Sequence, residues 1–168
     1  RDSRLDKIAK DIAYHFPRRG FLGKGMVVSV DKYTAVKMYD KVQHYWAIEK
    51  QNIIKERNAA TTKEERDRLK DILDYMNRVE MAVIISEDAD ETEKFSKYGL
   101  DISTHRAKMN VINADGKDIE DRFKDVNDNL QLVFVCAMWL TGFDVPNLST
   151  LYLDKPMKGH TLMQAIAR

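Results

Sequence analysis

The sequence predicts an α/β fold: a mostly parallel sheet with helices on both faces and a long inserted helical hairpin. Three observations predict it. Four short apolar runs, Met26 to Val30, Met81 to Ser86, Leu130 to Cys136 and Ser149 to Leu153, are rich in branched and aromatic residues. They lack clean alternation, as strands covered on both faces do. The segments between the first three carry helical spacing, and strands separated by helices favour a parallel sheet. With 168 residues and 43% hydrophobic content, the chain is long and apolar enough for a real core.

Each element has its own signal. Ser3 is placed to cap a first helix, with Asp6 three positions on, and Leu5, Ile8, Ala9, Ile12 and Phe16 follow at helical spacing until Pro17 and Gly20. Phe21 to Gly25 is a glycine-punctuated loop before the first strand. Asp31 to about Ala60 reads as one long helix, its apolar side marked by Ala35, Met38, Tyr39, Val42, Trp46, Ile53 and Ile54. Thr61 or Thr62 caps a second, with Glu65 as the box partner and Leu69, Ile72, Leu73 and Met76 inward. Glu64 and Arg68 stand at i,i+4 on its charged face.

These two helices make a hairpin over about 32–80, whose apolar side is expected on the domain's own sheet. After the second strand, the acidic stretch Glu87 to Glu93 reads as a solvated loop whose acids suit a helix N-terminus. Residues 99–129 are polar and ambiguous apart from a short amphipathic helix over Ile119–Lys124. After the fourth strand, His160 to Arg168 is expected to close the chain as a helix. With no internal repeat and no low-complexity linker, one domain is expected over 1–168.

Composition excludes several classes. No run approaches the roughly 20 apolar residues of a membrane helix. The 28 basic and 27 acidic residues leave a net charge of +1. Nucleic-acid binding then requires a local basic stripe rather than an overall excess. The single cysteine, Cys136, favours a reducing cytoplasmic setting. The first residue is Arg1 rather than Met, and the last predicted helix has no cap, so a piece of a longer polypeptide is expected.

No G-x-x-x-x-G-K-[ST] phosphate loop and no G-x-S-x-G elbow occurs. His15, His44, His105 and His160 form no H-E-x-x-H pair, and Cys136 at a strand end reads as a buried thiol. The informative part is the last third. Loops beyond the carboxyl ends of strands are where open α/β sheets bind ligands. One such loop carries Thr141-Gly142-Phe143-Asp144, the next Asp154-Lys155-Pro156-Met157-Lys158. Taken alone, T-G-x-D is more often a turn. Lys155 and Lys158 have the charge to hold phosphates, and Gln164 and Arg168 stand at i,i+4.

The run V-F-V-C-A-M-W-L-T-G-F-D-V-P-N-L-S-T-L-Y-L-D-K-P-M-K-G-H-T-L-M-Q-A-I-A-R closely resembles helicase motifs V and VI of the restriction (motor, R) subunit of type I restriction enzymes. Upstream, R-L-D-K-I-A-K-D-I-A-Y-H-F, G-K-G-M-V-V-S-V-D-K and D-R-F-K-D resemble the same family's entry to its second motor domain, motif IV included. The resemblance implies the second RecA-like (P-loop NTPase-type) domain of a superfamily 2 helicase or translocase. It is most specific over 130–168.

It also implies roles. Gly142 and Asp144 match motif V, whose acid meets the nucleotide ribose; Gln164 and Arg168 match motif VI, which faces the ATP phosphates. Arg168 is thereby the expected catalytic residue. Ser29, Asp31 and Lys32 at motif IV, with Thr141 and Lys155, are the expected contacts to the DNA backbone. Cys136 stands where the family often has a DNA-contacting threonine, a departure that weakens a side-chain contact there.

The expected substrate is ATP with Mg2+, bound mainly by a first motor domain whose Walker motifs this sequence lacks, as it lacks nuclease motifs. The fragment alone is therefore expected to be inactive. Expected partners are double-stranded DNA, the first motor and nuclease domains of the same chain, and methyltransferase and specificity subunits, in a bacterial or archaeal cytoplasm. No membrane is implied. Two alternatives are another superfamily 2 helicase domain and a non-catalytic α/β module with the hairpin as a docking arm. No metal site is expected.

Overall fold

The computed structural model describes residues 2–20, 23–137, 145, 147–157 and 160–167, with the backbone alone at 155–157 and 160–167. The element order is α1 (Asp2–His15), a 3-10 turn (Phe16–Arg18), β1 (Lys24–Ser29), α2 (Lys32–Ala59), α3 (Lys63–Arg78), β2 (Glu80–Val83), α4 (Glu91–Ser96), α5 (Ser103–Met109), α6 (Ile119–Lys124), β3 (Leu130–Cys136), β4 (Leu148–Met157) and β5 (His160–Ala167). The chain forms two compact units. One comprises residues 1–21 and 40–79, the other 22–39 and 80–168.

The second unit holds the sheet, in the order β2-β3-β1-β4-β5. The first four strands are parallel. Every residue of β1 is buried, as the unalternating run M-V-V requires. Helices cover both faces. Tyr39 of α2 meets Phe134 edge-on at 5.5 Å, while Phe123 of α6 packs with Val133 and Val135, the neighbours of Phe134 that point the other way. Gly23, just before β1, is a glycine for lack of room: a Cβ there would lie 2.5 Å from Ser149 Cβ. Asp118 and Asp121 close a reciprocal capping box at the start of α6.

The last element differs from expectation. Residues 160–167 form a strand antiparallel to β4, in register from Met157 beside His160 to Thr150 beside Ala167, not the helix predicted. A short run such as L-M-Q-A-I-A suits either state by pattern alone. The free edge of a ten-residue β4 offers a row of backbone donors and acceptors that a second strand satisfies.

The first unit is helical. Leu5, Ile8, Ala9, Ile12 and Phe16 of its opening segment are buried, as are Val42, Trp46 and Ile53 of α2 and Leu69 and Met76 of α3. Phe16 sits 6.4 Å from the Trp46 ring and 6.3 Å from Tyr75. Trp46 Nε1 donates to Met76 O at 3.0 Å, which satisfies the buried indole and a last-turn carbonyl together. Arg18 reaches Glu49 at 2.6 Å and Lys41 reaches Asp6 at 2.8 Å.

The hairpin is divided between the two units. Only its first turns, with Ala35, Val36, Met38 and Tyr39, belong to the sheet unit; from Asp40 onward it belongs with α1. α1 starts at Asp2, ahead of the cap expected at Ser3. Thr62 caps α3, accepting from Glu65 N at 3.2 Å, while Arg68 pairs at 2.6 Å with Glu65 rather than with Glu64.

Candidate motor site

The four parallel strands run in one direction, and Ser29, Asp31 and Lys32 lie where β1 passes into α2. Ser29 closes β1 and Cys136 closes β3, side by side in register. Both are buried. Ser29 therefore does not present its hydroxyl at the surface in this structure, and Oγ has no hydrogen-bond partner among the described residues. Cys136 is a buried free thiol, as its position predicted.

Asp31 and Lys32 both have local partners. Asp31 Oδ1 accepts from Thr34 N at 2.7 Å, and Asp31 O accepts from Ala35 N, so this residue is the N-cap of α2. Lys32 Nζ donates to Ser86 O at 2.8 Å and pairs with Asp88 at 2.9 Å. That contact holds the Asp88 carboxyl below its usual range. Asp31 and Lys32, two of the five residues read from sequence as DNA contacts, thus order the start of α2 and the loop after β2.

The structure places Lys155 in β4 beside Leu162 and Gln164 in β5 beside Leu153. Gln164 accordingly does not sit on the helix face expected of it. Thr141, Gly142, Asp144 and Arg168 lie outside the described residues. Asp154, the acid of L-D-K-P, is buried within the second half of β4.

Three features had little signal in the sequence. α5 lies in the stretch that read as ambiguous, and it delivers Arg106. Its guanidinium grips Glu91 with two bonds of 2.9 and 2.8 Å and donates to Ile85 O at 2.9 Å. The hydrogen bond to Arg106 holds the Glu91 carboxyl below its ordinary range. Glu91 and Glu93 occupy the first turn of α4, as the acidic stretch suggested. Glu91 is buried, however, so that stretch is pinned rather than wholly solvated.

The third feature is Lys24. It is fully buried, its Nζ donating to Leu130 O at 2.5 Å and Asp128 O at 2.9 Å. Burial pulls its pKa down to about 8, with Asp128 and Asp125 opposing. Among the described residues, no group of three His, Cys, Asp or Glu is arranged to hold a metal ion. No helix among them is long and apolar enough to cross a membrane.

Residues 24–168 match the family described as type I restriction enzyme subunit R domain 3. The chain is 34% identical over 167 residues to the type I restriction enzyme HindI endonuclease subunit of Haemophilus influenzae, covering 98% of this chain and 13% of that protein. It is 36% identical over 167 residues to a putative type I restriction enzyme MjaIXP endonuclease subunit of Methanocaldococcus jannaschii, covering 98% and 12%. A second Methanocaldococcus jannaschii subunit, MjaVIIP, is 30% identical over the same length. The chain thus spans about an eighth of the relatives it matches. A central parallel sheet with helices on both faces, a family match over most of the chain and three relatives aligned along 98% of it agree: this chain belongs to the type I restriction enzyme R subunit family, within the region described as domain 3.

Proposed function

We propose that this chain is the second RecA-like motor domain of an ATP-dependent DNA translocase, within the endonuclease subunit of a type I restriction system. The observation that carries the proposal is the match over 24–168, which includes the whole carboxyl edge of the parallel sheet and the motif-bearing segments that leave it. Open α/β sheets bind ligands along that edge.

In this reading ATP lies between this domain and a first motor domain elsewhere in the parent chain. Asp144 accepts from the ribose hydroxyls, with Gly142 allowing close backbone approach. Gln164 and Arg168 face the phosphates, and the arginine offsets charge that develops on the transferred phosphoryl group. Mg2+ neutralises phosphate oxygens when bound, held chiefly by the first domain. The DNA backbone runs past the start of α2 and the segments carrying Thr141 and Lys155. Contacts of that kind position a motor without reading sequence. Hydrolysis changes the closure of the two motor domains and moves the DNA. Methyltransferase and specificity subunits complete the assembly.

The test is ATP hydrolysis by the parent subunit assembled with its partners, with and without duplex DNA. Arg168→Ala is expected to lower DNA-stimulated kcat by about 10²-fold or more, the scale of losing one transition-state charge contact. Asp144→Ala is expected to raise KM for ATP. Wild-type rates in both variants, with the fold intact, would refute the reading.

A further inference from the structure

One face of the sheet changes character towards the end of β1. Across β3, β1 and β4, Phe134, Val27 and Tyr152 stand in register. Two residues further on, the same face carries Cys136, Ser29 and Asp154. Ser29 is beside Cys136 directly. Asp154 lies one step beyond the last β1–β4 pair, Val28 with Leu153, and so falls next to Ser29. Ser29 is 1% exposed and Asp154 6%.

A buried hydroxyl without a partner is unfavourable, and each native case calls for an explanation. Ser29 Oγ is such a case among the described residues. The adjoining strand carries at the neighbouring position the Asp154 carboxylate, an acceptor for which a serine O–H is a suitable donor. In this structure the bond between them is not made. A donor and an acceptor placed on neighbouring strands, both dry, need only a small strand slide or a rotamer change to join.

We propose that Ser29 and Asp154 form a latch, open in this structure, that closes during the nucleotide cycle of the translocase. The proposal rests on the motor reading above. The main chain from Ser29 enters α2, whose start lies on the DNA side in that reading. The main chain from Asp154 runs on through the rest of β4 to β5, which carries Gln164 and leads to Arg168, the residues read above as facing the phosphates. A hydroxyl-to-carboxylate bond between the end of β1 and the adjoining position of β4 would then couple the two sides through one element with two arrangements. Ser29 and Asp154 are positioning residues here, not groups that touch ATP.

The experiment uses the full-length subunit in its assembly, with ATP turnover measured on linear duplex DNA. Ser29→Ala and Asp154→Ala are each expected to lower DNA-stimulated kcat about tenfold while KM for ATP stays within about twofold. The double variant is expected to be no worse than either single one, the signature of one shared interaction. Ser29→Thr keeps the hydroxyl and is expected to retain most of the rate. If Asp154→Ala does not fold, the contrast between Ser29→Ala and Ser29→Thr decides the matter. Multiplying losses in the double variant, an effect confined to KM, or wild-type turnover in Ser29→Ala would overturn the latch. Absence of DNA-stimulated turnover in the wild type would overturn the motor reading, and the latch with it.

Discussion

Lys24 shows what a single residue can impose. A lysine with an ordinary pKa of 10.5 is held at about 8 by burial in the folded chain. Between those values the unfolded chain still carries a proton that the folded chain has released. Stability attributable to this group therefore rises with pH across that window, by about 1 kcal/mol per pH unit. Urea unfolding midpoints at pH 8, 9 and 10 are expected to show the rise in wild type and its loss in Lys24→Met; parallel curves would count against it. Gly23→Ala is expected to cost about 1–3 kcal/mol, since a methyl group placed 2.5 Å from Ser149 Cβ forces a backbone shift. The same unfolding assay measures it. Neither role was legible in G-K-G, because both depend on strands more than 100 residues away in the chain.

At the scale of elements, legibility followed pattern length. α2 and α3 carry many turns of periodic signal, and both appear where the sequence puts them. β1 and β3 were equally plain from their M-V-V and L-V-F-V-C cores. α5 has seven residues, and only His105 and Met109 of them are buried, too few to reveal a period. The segment 160–167 shows the opposite failure: its pattern fits a helix, and the open edge of β4 selects a strand. In the candidate site, the positions of Ser29, Asp31 and Lys32 at the strand-to-helix junction were read correctly. The partners of Lys32, Ser86 and Asp88, were not legible, because they stand more than fifty residues further along the chain.

One prediction belongs at this scale. Arg106 joins α5 to the start of α4 through Glu91 and to the segment after β2 through Ile85 O, so Arg106→Ala is expected to destabilise the sheet unit by about 1.5–3 kcal/mol at pH 7, the range for hydrogen bonds to charged groups. The contribution is complete above the ordinary pKa of Glu91 and fades as pH falls through its lowered folded value. The difference between wild type and variant should thus shrink in acid, which denaturation at pH 3 and pH 7 would reveal.

For the molecule as a whole, two compact units are threaded by one chain, and Ser29, Asp31, Lys32, Lys155 and Gln164 belong to the sheet unit. The proposed chemistry needs more than either. Phosphate release by the isolated 168 residues with ATP, Mg2+ and DNA is expected to stay at background. Metal-dependent turnover by the pure fragment would contradict the assignment of the Walker motifs to another domain.

The strand order has a kinetic side. β1 is hydrogen-bonded only to β3 and β4, which follow it by more than 100 residues. Pairing at that separation is slow, because a long loop must close before any contact rewards it. During synthesis, K-G-M-V-V-S therefore emerges well before its neighbours exist, while the helices of residues 40–79 can form locally. Chains cut short before Leu130 are expected to leave β1 without partners and to aggregate, and those reaching Met157 to remain in solution. Sedimentation of a truncation series would locate the changeover at the arrival of β3 and β4.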